Sequence, residues 1–273
     1  VLGTGLFLIG FLDDIKFRLS PKARLASMTA ILLISVKIFS IQIYGIDFII
    51  LNQILSIKIF YLLFIILCFL FIINGSNLVD GFNGLLAFQL IIINSILLFI
   101  NIENELQSLS ILITAQIIIL LIFLLFNFPS AKIFMGDGGA YLFGAFTALN
   151  VIETNNLNPN VSSFFFTILL FYLFFEVFFS FIRKLVKKKS PIKPDSEHLH
   201  MLSYKILNFK NSHRDCNYLN TLYINFIYCL LVLPSILVRE NGTMCKYWFF
   251  SLIIIYLLTY FKLNSFVKKK IDI

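Results

Sequence analysis

Charge is scarce in this sequence: only 13% of its 273 residues are Asp, Glu, Lys or Arg, against 59% hydrophobic residues, which excludes an ordinary soluble globular domain. Strict apolar/polar alternation with frequent turns is also absent, which disfavours an outer-membrane barrel. Long apolar runs predict a helical bundle instead. No charged n-region and no initiating methionine precede the first apolar run, which therefore does not read as a signal peptide. Val1 to Leu12 makes only about 18 Å of helix against a hydrocarbon core of about 30 Å. The expectation is an N-terminally truncated chain that enters partway through a span. Cys68, Cys216, Cys229 and Cys245 have no metal-ligand spacing and read as small hydrophobes. No basic and aromatic recognition module is present, so nucleic acid is not an expected partner.

What is present is a series of apolar segments at about 1–12, 25–44, 57–73, 84–101, 108–126, 139–153, 161–182, 218–238 and 246–262. They predict an all-α, polytopic membrane protein of about nine transmembrane segments, organised as one domain over 1–273 with a basic loop at 183–217. The glycine-rich sixth segment is the one expected to be broken or re-entrant. Of the 22 Lys and Arg residues, 18 fall in loops on one side, including Lys16, Arg18, Lys22, Arg24, Lys132, Arg183, Lys184 and Arg214. The remaining four, Lys37, Lys58, Arg239 and Lys246, lie near the other side, so the positive-inside rule makes the first side cytoplasmic. The net charge of +8 then reads as topology plus attraction to anionic lipid headgroups.

Three acidic, glycine-bearing stretches interrupt the apolar runs, all on that basic side. A carboxylate at the centre of a membrane helix costs about 2.5–3.5 kcal/mol, so such stretches point to a site. Asp13 and Asp14 are adjacent and project about 100° apart on a helix, which suits separate duties: one toward a cation, the other taking a proton from a nucleophile. Loop or capping acids beside Lys16 and Arg18 is the equally open alternative. Asn74, Asn77 and Asp80 recur every third residue, with Gly75, Gly81 and Gly84 allowing irregular backbone or close approach. Amide and carboxylate oxygens of this kind suit Mg²⁺, whose coordination bound phosphates complete. A plain Asn/Asp/Gly turn explains the glycines but not polar side chains beside Phe69–Ile73. Asn127 to Ala140 combines Pro129, Lys132 and Asp137 with Gly136, Gly138 and Gly139 at the opening of the next span. It resembles a phosphate-binding turn, although the Walker A order is absent.

The 183–217 loop carries His198-Leu199-His200, whose spacing is wrong for a helical zinc pair; a role in hydrogen bonding or charge stabilisation at a substrate stands beside a surface location. His213 reads as incidental. Glu176, the one carboxylate expected inside a span, shares a helix face with Arg183; a function and a bundle-facing polar contact both remain open.

With these residues in place the sequence resembles the polyprenyl-phosphate N-acetylhexosamine-1-phosphate transferase superfamily, the MraY/WecA-like enzymes of glycosyltransferase family 4. Asp13-Asp14 matches the family's Asp-Asp loop and Asn74 to Gly81 its Asn-x-x-Asn-x-x-Asp-Gly stretch. Asn127 to Asp137, with Ser130 inserted, matches Asn-x-Pro-Ala-Lys-x-Phe-Met-Gly-Asp, and Ser190 to His200 matches Ser-Pro-x-x-Pro-Asp-x-x-His-x-His of the WecA-like branch. The resemblance covers essentially the whole chain and implies about eleven spans in the full-length protein.

The resemblance implies transfer of a sugar 1-phosphate from a UDP-sugar to polyprenyl (undecaprenyl) phosphate with Mg²⁺, or Mn²⁺ in its place, releasing UMP in the first membrane step of cell-envelope glycan synthesis. It implies catalytic roles for Asp13, Asp14 and Asp80, metal or diphosphate roles for Asn77 and Asp137, and substrate contacts for Asn74, Lys132, Arg183, Lys184, His198 and His200. UDP-sugar, polyprenyl phosphate and membrane lipids are the implied partners, with a homodimer left open, at the bacterial cytoplasmic membrane with the site facing the cytoplasm. The sequence departs from the pattern at Lys184 and Ser196, both usually arginine, at Met201, often a third histidine, and at Ala140, often serine. A lipid-linked transporter or flippase is the alternative, weakened by the lack of a clear internal repeat. A CDP-alcohol phosphotransferase is disfavoured because Asp80-Gly81 continues as Phe82-Asn83-Gly84.

Overall fold

The computed structural model describes residues 1–15, 19–191, 193, 195–210 and 216–270. Lys16, Arg18, His213 and Arg214 lie outside the described residues, as do Ile192 and Pro194 of the His-containing segment. The described elements are α1 (Leu2–Asp14), α2 (Pro21–Ile38), α3 (Ile49–Leu55), α4 (Lys58–Val79), α5 (Leu85–Glu103), α6 (Gln107–Asn127), α7 (Gly136–Leu157), α8 (Ser163–Leu169), α9 (Phe171–Val186), α10 (Leu199–Lys210), α11 (Asn217–Val232) with a 3-10 turn (Leu233–Val238), and α12 (Gly242–Lys270).

Among the described residues five helical stretches are long and apolar enough to cross a membrane: α4, α5, α6, α11 with its turn, and α12. The pair α8–α9, bent by 75°, makes a sixth if it counts as one span. The chain is thus an all-α, multi-pass membrane protein. Helices α1, α2 and α7 lie where further spans were expected, but they do not meet the length and apolarity that identify the other six. The expected break also falls elsewhere: the glycine-rich α7 runs unbroken over Gly136–Leu157, and it is the seventh segment that bends. At the start of α8, Ser162 caps the helix, while Asp47 accepts from the Ser163 N–H (2.9 Å) and Ser163 Oγ accepts from the Asp47 N–H (2.8 Å).

Helix α7 is the hub, packed against α1, α4 and α5. Its buried polar side chains tie it to its neighbours by hydrogen bonds that have no water to compete with them. Asn94 of α5 donates to Thr147 (3.1 Å), Asn150 donates to Asn94 (2.8 Å) and to Gln116 of α6 (2.9 Å), and Asn101 donates to Thr154 (2.9 Å). Close helix approach uses glycine. A Cβ at Gly75 of α4 would stand 2.2 Å from the Leu173 carbonyl oxygen of α9, and one at Gly10 of α1 would stand 2.4 Å from Asp137 and Gly138 backbone atoms of α7. Gly75 therefore serves helix packing, whereas irregular backbone appears at Gly84, with φ of 75° at the start of α5.

Candidate active site

The acidic stretches meet at one end of the bundle, where α1 and α4 end and α2, α5 and α7 begin. Ser20 caps α2 by accepting from the Ala23 N–H (3.2 Å), and Pro21 pre-sets its first turn. This start places Arg24 beside the acids. One guanidinium nitrogen donates to Asp13 (2.5 Å) and to Asp137 (3.0 Å), bridging α1 and α7. Tyr141, one turn along α7, donates to Asp137 (3.3 Å), and Asn77 of α4 donates to the Tyr141 hydroxyl (2.8 Å). Asp13, Asn77 and Asp137 are thereby linked into one network.

Asp14 has a different part. Its two carboxylate oxygens accept from the N–H groups of Asp137 (2.9 Å) and Gly138 (3.1 Å), so a side chain of α1 supplies the anion at the N-terminus of α7. The start of α7 was expected to offer these N–H groups to a phosphate. In the structure they are already engaged, because α1 crosses close enough at Gly10 to present Asp14.

Asp80 ends α4, outside the spanning segment. Burial, followed by the neighbouring charges of Asp137 and Asp14, pushes its carboxyl up to about 7. Asn74 donates back to Leu70 of its own helix (2.7 Å), and Lys132 is exposed. The loops around the acids are stapled by amides. Asn127 accepts from the Gly84 N–H (2.5 Å) and donates to the Ile133 carbonyl (2.7 Å), and Asn83 donates to the Pro129 carbonyl (2.8 Å).

The His-containing segment lies against the same end, with Phe82 edge-on to His200 at 5.8 Å. Both histidines are buried rather than displayed: His198 is 3.1 Å from Glu176, and His200 is 3.3 Å from the Tyr172 hydroxyl and stacked on His198. Burial lowers the His200 imidazole to about 4, so it is neutral. Arg183 and Lys184, expected at a substrate, are also buried. Arg183 donates to both Asp195 oxygens (2.9 and 2.8 Å) and to the Glu197 carbonyl, while Lys184 donates to the Lys193 carbonyl (2.6 Å). Burial works against ionisation of Asp195, but the Arg183 charge and the Glu197 N–H outweigh it and hold the carboxyl below its usual range.

Sequence reasoning counted Arg24 only as a topological charge. The available signal was its place one turn after a Ser-Pro helix start, in the loop that follows two carboxylates. Tyr141 carried a signal too, four residues after Asp137 and hence on the same helix face. Among the described residues no group of three His, Cys, Asp or Glu side chains is arranged to hold a metal ion. What is assembled is an oxygen-rich set, Asp13, Asp137 and Asn77, whose two carboxylates already converge on a cationic group. That chemistry fits a hard divalent cation with few protein ligands.

The glycosyl transferase family 4 profile matches residues 1–155, which contain the Asp-Asp, Asn-Asp-Gly and Gly-Asp-Gly stretches. The chain is 31% identical over 214 residues to an undecaprenyl-phosphate alpha-N-acetylglucosaminyl 1-phosphate transferase of Thermotoga maritima, covering 75% of this chain and 61% of that protein. It is 28% identical over 261 residues to a probable undecaprenyl-phosphate N-acetylglucosaminyl 1-phosphate transferase of Bacillus subtilis, covering 94% of this chain and 68% of that protein. A phospho-N-acetylmuramoyl-pentapeptide-transferase of Leuconostoc mesenteroides is 32% identical over 153 residues, 55% of this chain and 47% of that protein. The matched family region ends inside α7, so it takes in the whole acidic network, and with that network assembled the chain belongs to glycosyl transferase family 4.

Proposed function

We propose that this protein transfers a sugar 1-phosphate, an N-acetylhexosamine 1-phosphate, from a UDP-sugar to polyprenyl phosphate and releases UMP. The observation that carries the reading is the meeting of Asp13, Asn77 and Asp137 through Arg24 and Tyr141 at the end of the bundle where Asp80 also lies. The family and the relatives' names support the reaction class. The basic loops on the same side support a site facing the cytoplasm of a bacterial inner membrane, and all nine expected segments are helical, in keeping with a nine-segment bundle whose first segment enters partway through a span.

In this reading an oxygen of the lipid phosphate attacks the β-phosphorus of the UDP-sugar, and the bond to the UMP oxygen breaks. Asp137 and Asn77 would hold Mg²⁺, with Asp13 beside them, and the ion would supply charge neutralisation on the diphosphate. Asp14 fixes the start of α7 and so the position of Asp137. Asp13, whose carboxylate is not tied to a helix end, is the better placed of the pair to orient the lipid phosphate or take its proton. Asp80, close to Asp137 and Asp14, contributes a further carboxyl at the reacting phosphates. The His198–His200 segment closes the site on the nucleotide side, and direct attack needs no covalent carboxylate intermediate.

The test supplies the purified protein with UDP-N-acetylhexosamines, polyprenyl phosphate and Mg²⁺ and follows UMP. Lipid-dependent UMP release supports the assignment. Absence of product with every UDP-N-acetylhexosamine, accompanied by movement of a lipid-linked saccharide across liposomes, would replace it with the transporter reading.

A further inference from the structure

Among the described residues Glu176 is the one buried carboxylate, 1% exposed, and none of the steps above uses it. It lies on α9, two turns before Arg183 and on the same face. Its Oε2 is 3.1 Å from His198 Nδ1, and its Oε1 accepts the Leu199 N–H at 3.1 Å. Arg183, 7% exposed, holds Asp195 through both carboxylate oxygens. The helix thus presents an acid and then a base, and the segment answers with a base at His198 and an acid at Asp195. These contacts fix two points of the segment three residues apart, with opposite polarity, so a slip in register would set like charges against each other.

We propose that Glu176 is a positioning residue, the inner half of a two-point latch that docks the Asp195–His200 segment onto α9 and sets the site's affinity for the nucleotide-sugar. The argument has three parts. An isolated buried carboxylate is costly, and here the hydrogen bonds that offset the cost include two from this segment, a histidine ring and a backbone N–H, beside the hydroxyls of Tyr172 and Tyr256. The Leu199 N–H is one of the unpaired donors at the start of α10, so Glu176 also stabilises the helix that carries His200. His200 in turn faces Phe82, two residues beyond Asp80, so the latch ties the placement of this segment to the acidic end of α4. The link to nucleotide-sugar affinity rests on the proposed function; the docking itself does not.

The experiment uses the full chain in detergent and compares Glu176→Ala with Glu176→Gln, which keeps an acceptor for the Leu199 N–H. Hydrogen exchange of the 195–204 peptide should rise about tenfold in E176A, the loss expected for one charge-assisted hydrogen bond, while peptides from α6 and α7 keep their parental rates. KM for the UDP-sugar should rise about tenfold with kcat changed by less than about threefold, and E176Q should recover most of both effects. If E176A does not fold, His198→Ala, which removes the loop-side partner, should give the same exchange rise. Parental exchange of this peptide in E176A, an equal rise throughout the protein, or a fall in kcat at unchanged KM would each overturn the latch. If the parent turns over no UDP-sugar, the proposed function fails, while the exchange comparison still decides whether Glu176 docks the segment.

Discussion

Substitution of Gly10 by alanine separates the roles of α1 and α7 most sharply, because it adds one methyl group where the two helices cross and alters none of the acidic residues. The new Cβ would stand 2.4 Å from the carbonyl carbon of Asp137 and the nitrogen of Gly138, whereas ordinary contact begins near 3.4 Å. Both obstructing atoms are backbone, so neither can rotate away, and the helices must separate by about 1 Å. Such a shift takes the Asp14 hydrogen bonds to the Asp137 and Gly138 N–H groups, now 2.9 and 3.1 Å, beyond useful range and pulls Asp13 from the Arg24 bridge to Asp137. Overpacking of this kind costs about 1–3 kcal/mol in stability, and a 1 Å misplacement of reacting groups costs on the order of 10²-fold in rate. Gly45→Ala, whose Cβ meets nothing within 4 Å, is the control and should melt and turn over as the parent does. UMP release and thermal denaturation in detergent read both effects. A G10A protein with parental melting and a kcat within about twofold of the parent would refute the claim that this crossing sets the site.

Asp137→Asn should lower kcat by about 10²-fold or more in the UMP assay, and near-parental turnover would remove Asp137 from the diphosphate site. Arg24→Gln leaves Asp13 and Asp137 without their shared cation; since these side chains are a fifth to a quarter exposed, the expected loss of stability is only about 1–2 kcal/mol, read by thermal denaturation. Asn127→Ala strands the Gly84 N–H and the Ile133 carbonyl and should cost about 1–3 kcal/mol by the same measurement. For Asp80 the folded carboxyl sits near 7 and the unfolded one near 3.8, so the folded state binds the extra proton and stability falls as pH rises through that interval. From pH 5 to pH 8 the interval carries about two units, roughly 3 kcal/mol at most, and Asp80→Asn should therefore gain on the metal-free parent by up to that amount at pH 8 relative to pH 5. Equal melting differences at the two pH values would contradict the placement of Asp80 among carboxylates.

The acidic stretches were legible because carboxylates and glycines interrupting an apolar chain are costly wherever they are not used, and their loops share one charge signature. Their partners were less legible. The every-third-residue pattern of Asn74, Asn77 and Asp80 suggested oxygen groups meeting on one side of a helical turn, yet Asn74 bonds back to Leu70 while Asn77 reaches Tyr141, a difference set by which face of α4 meets α7. The broken helix was assigned to glycine-rich α7, but the glycines there permit close packing, and the bend falls at Leu170, where local composition gives no warning. Substrate contacts for Arg183 and Lys184 were implied by the family resemblance alone. Only the fold shows that the Asp195 segment returns to cover them.

Charge balance explains why so many acids can share one end of the bundle. Asp14 is held by the N–H groups at the start of α7, and Asp13 and Asp137 divide the single charge of Arg24. Asp80 is buried and also faces the repulsion of Asp137 and Asp14, and so it retains its proton to about 7. Once Asp80 ionises, Asp13, Asp80 and Asp137 carry three negative charges against the one positive charge of Arg24, about two positive charges short of neutrality even with Asp14 held by the helix start. A divalent cation arriving with a diphosphate would relieve that repulsion and draw the Asp80 carboxyl downward. On this argument, Mg²⁺ added with UDP-sugar should flatten the difference between parent and Asp80→Asn stability across pH 5 to 8. A difference that persists at saturating Mg²⁺ would place the cation away from Asp80 and leave Arg24 as the main counter-charge of the site.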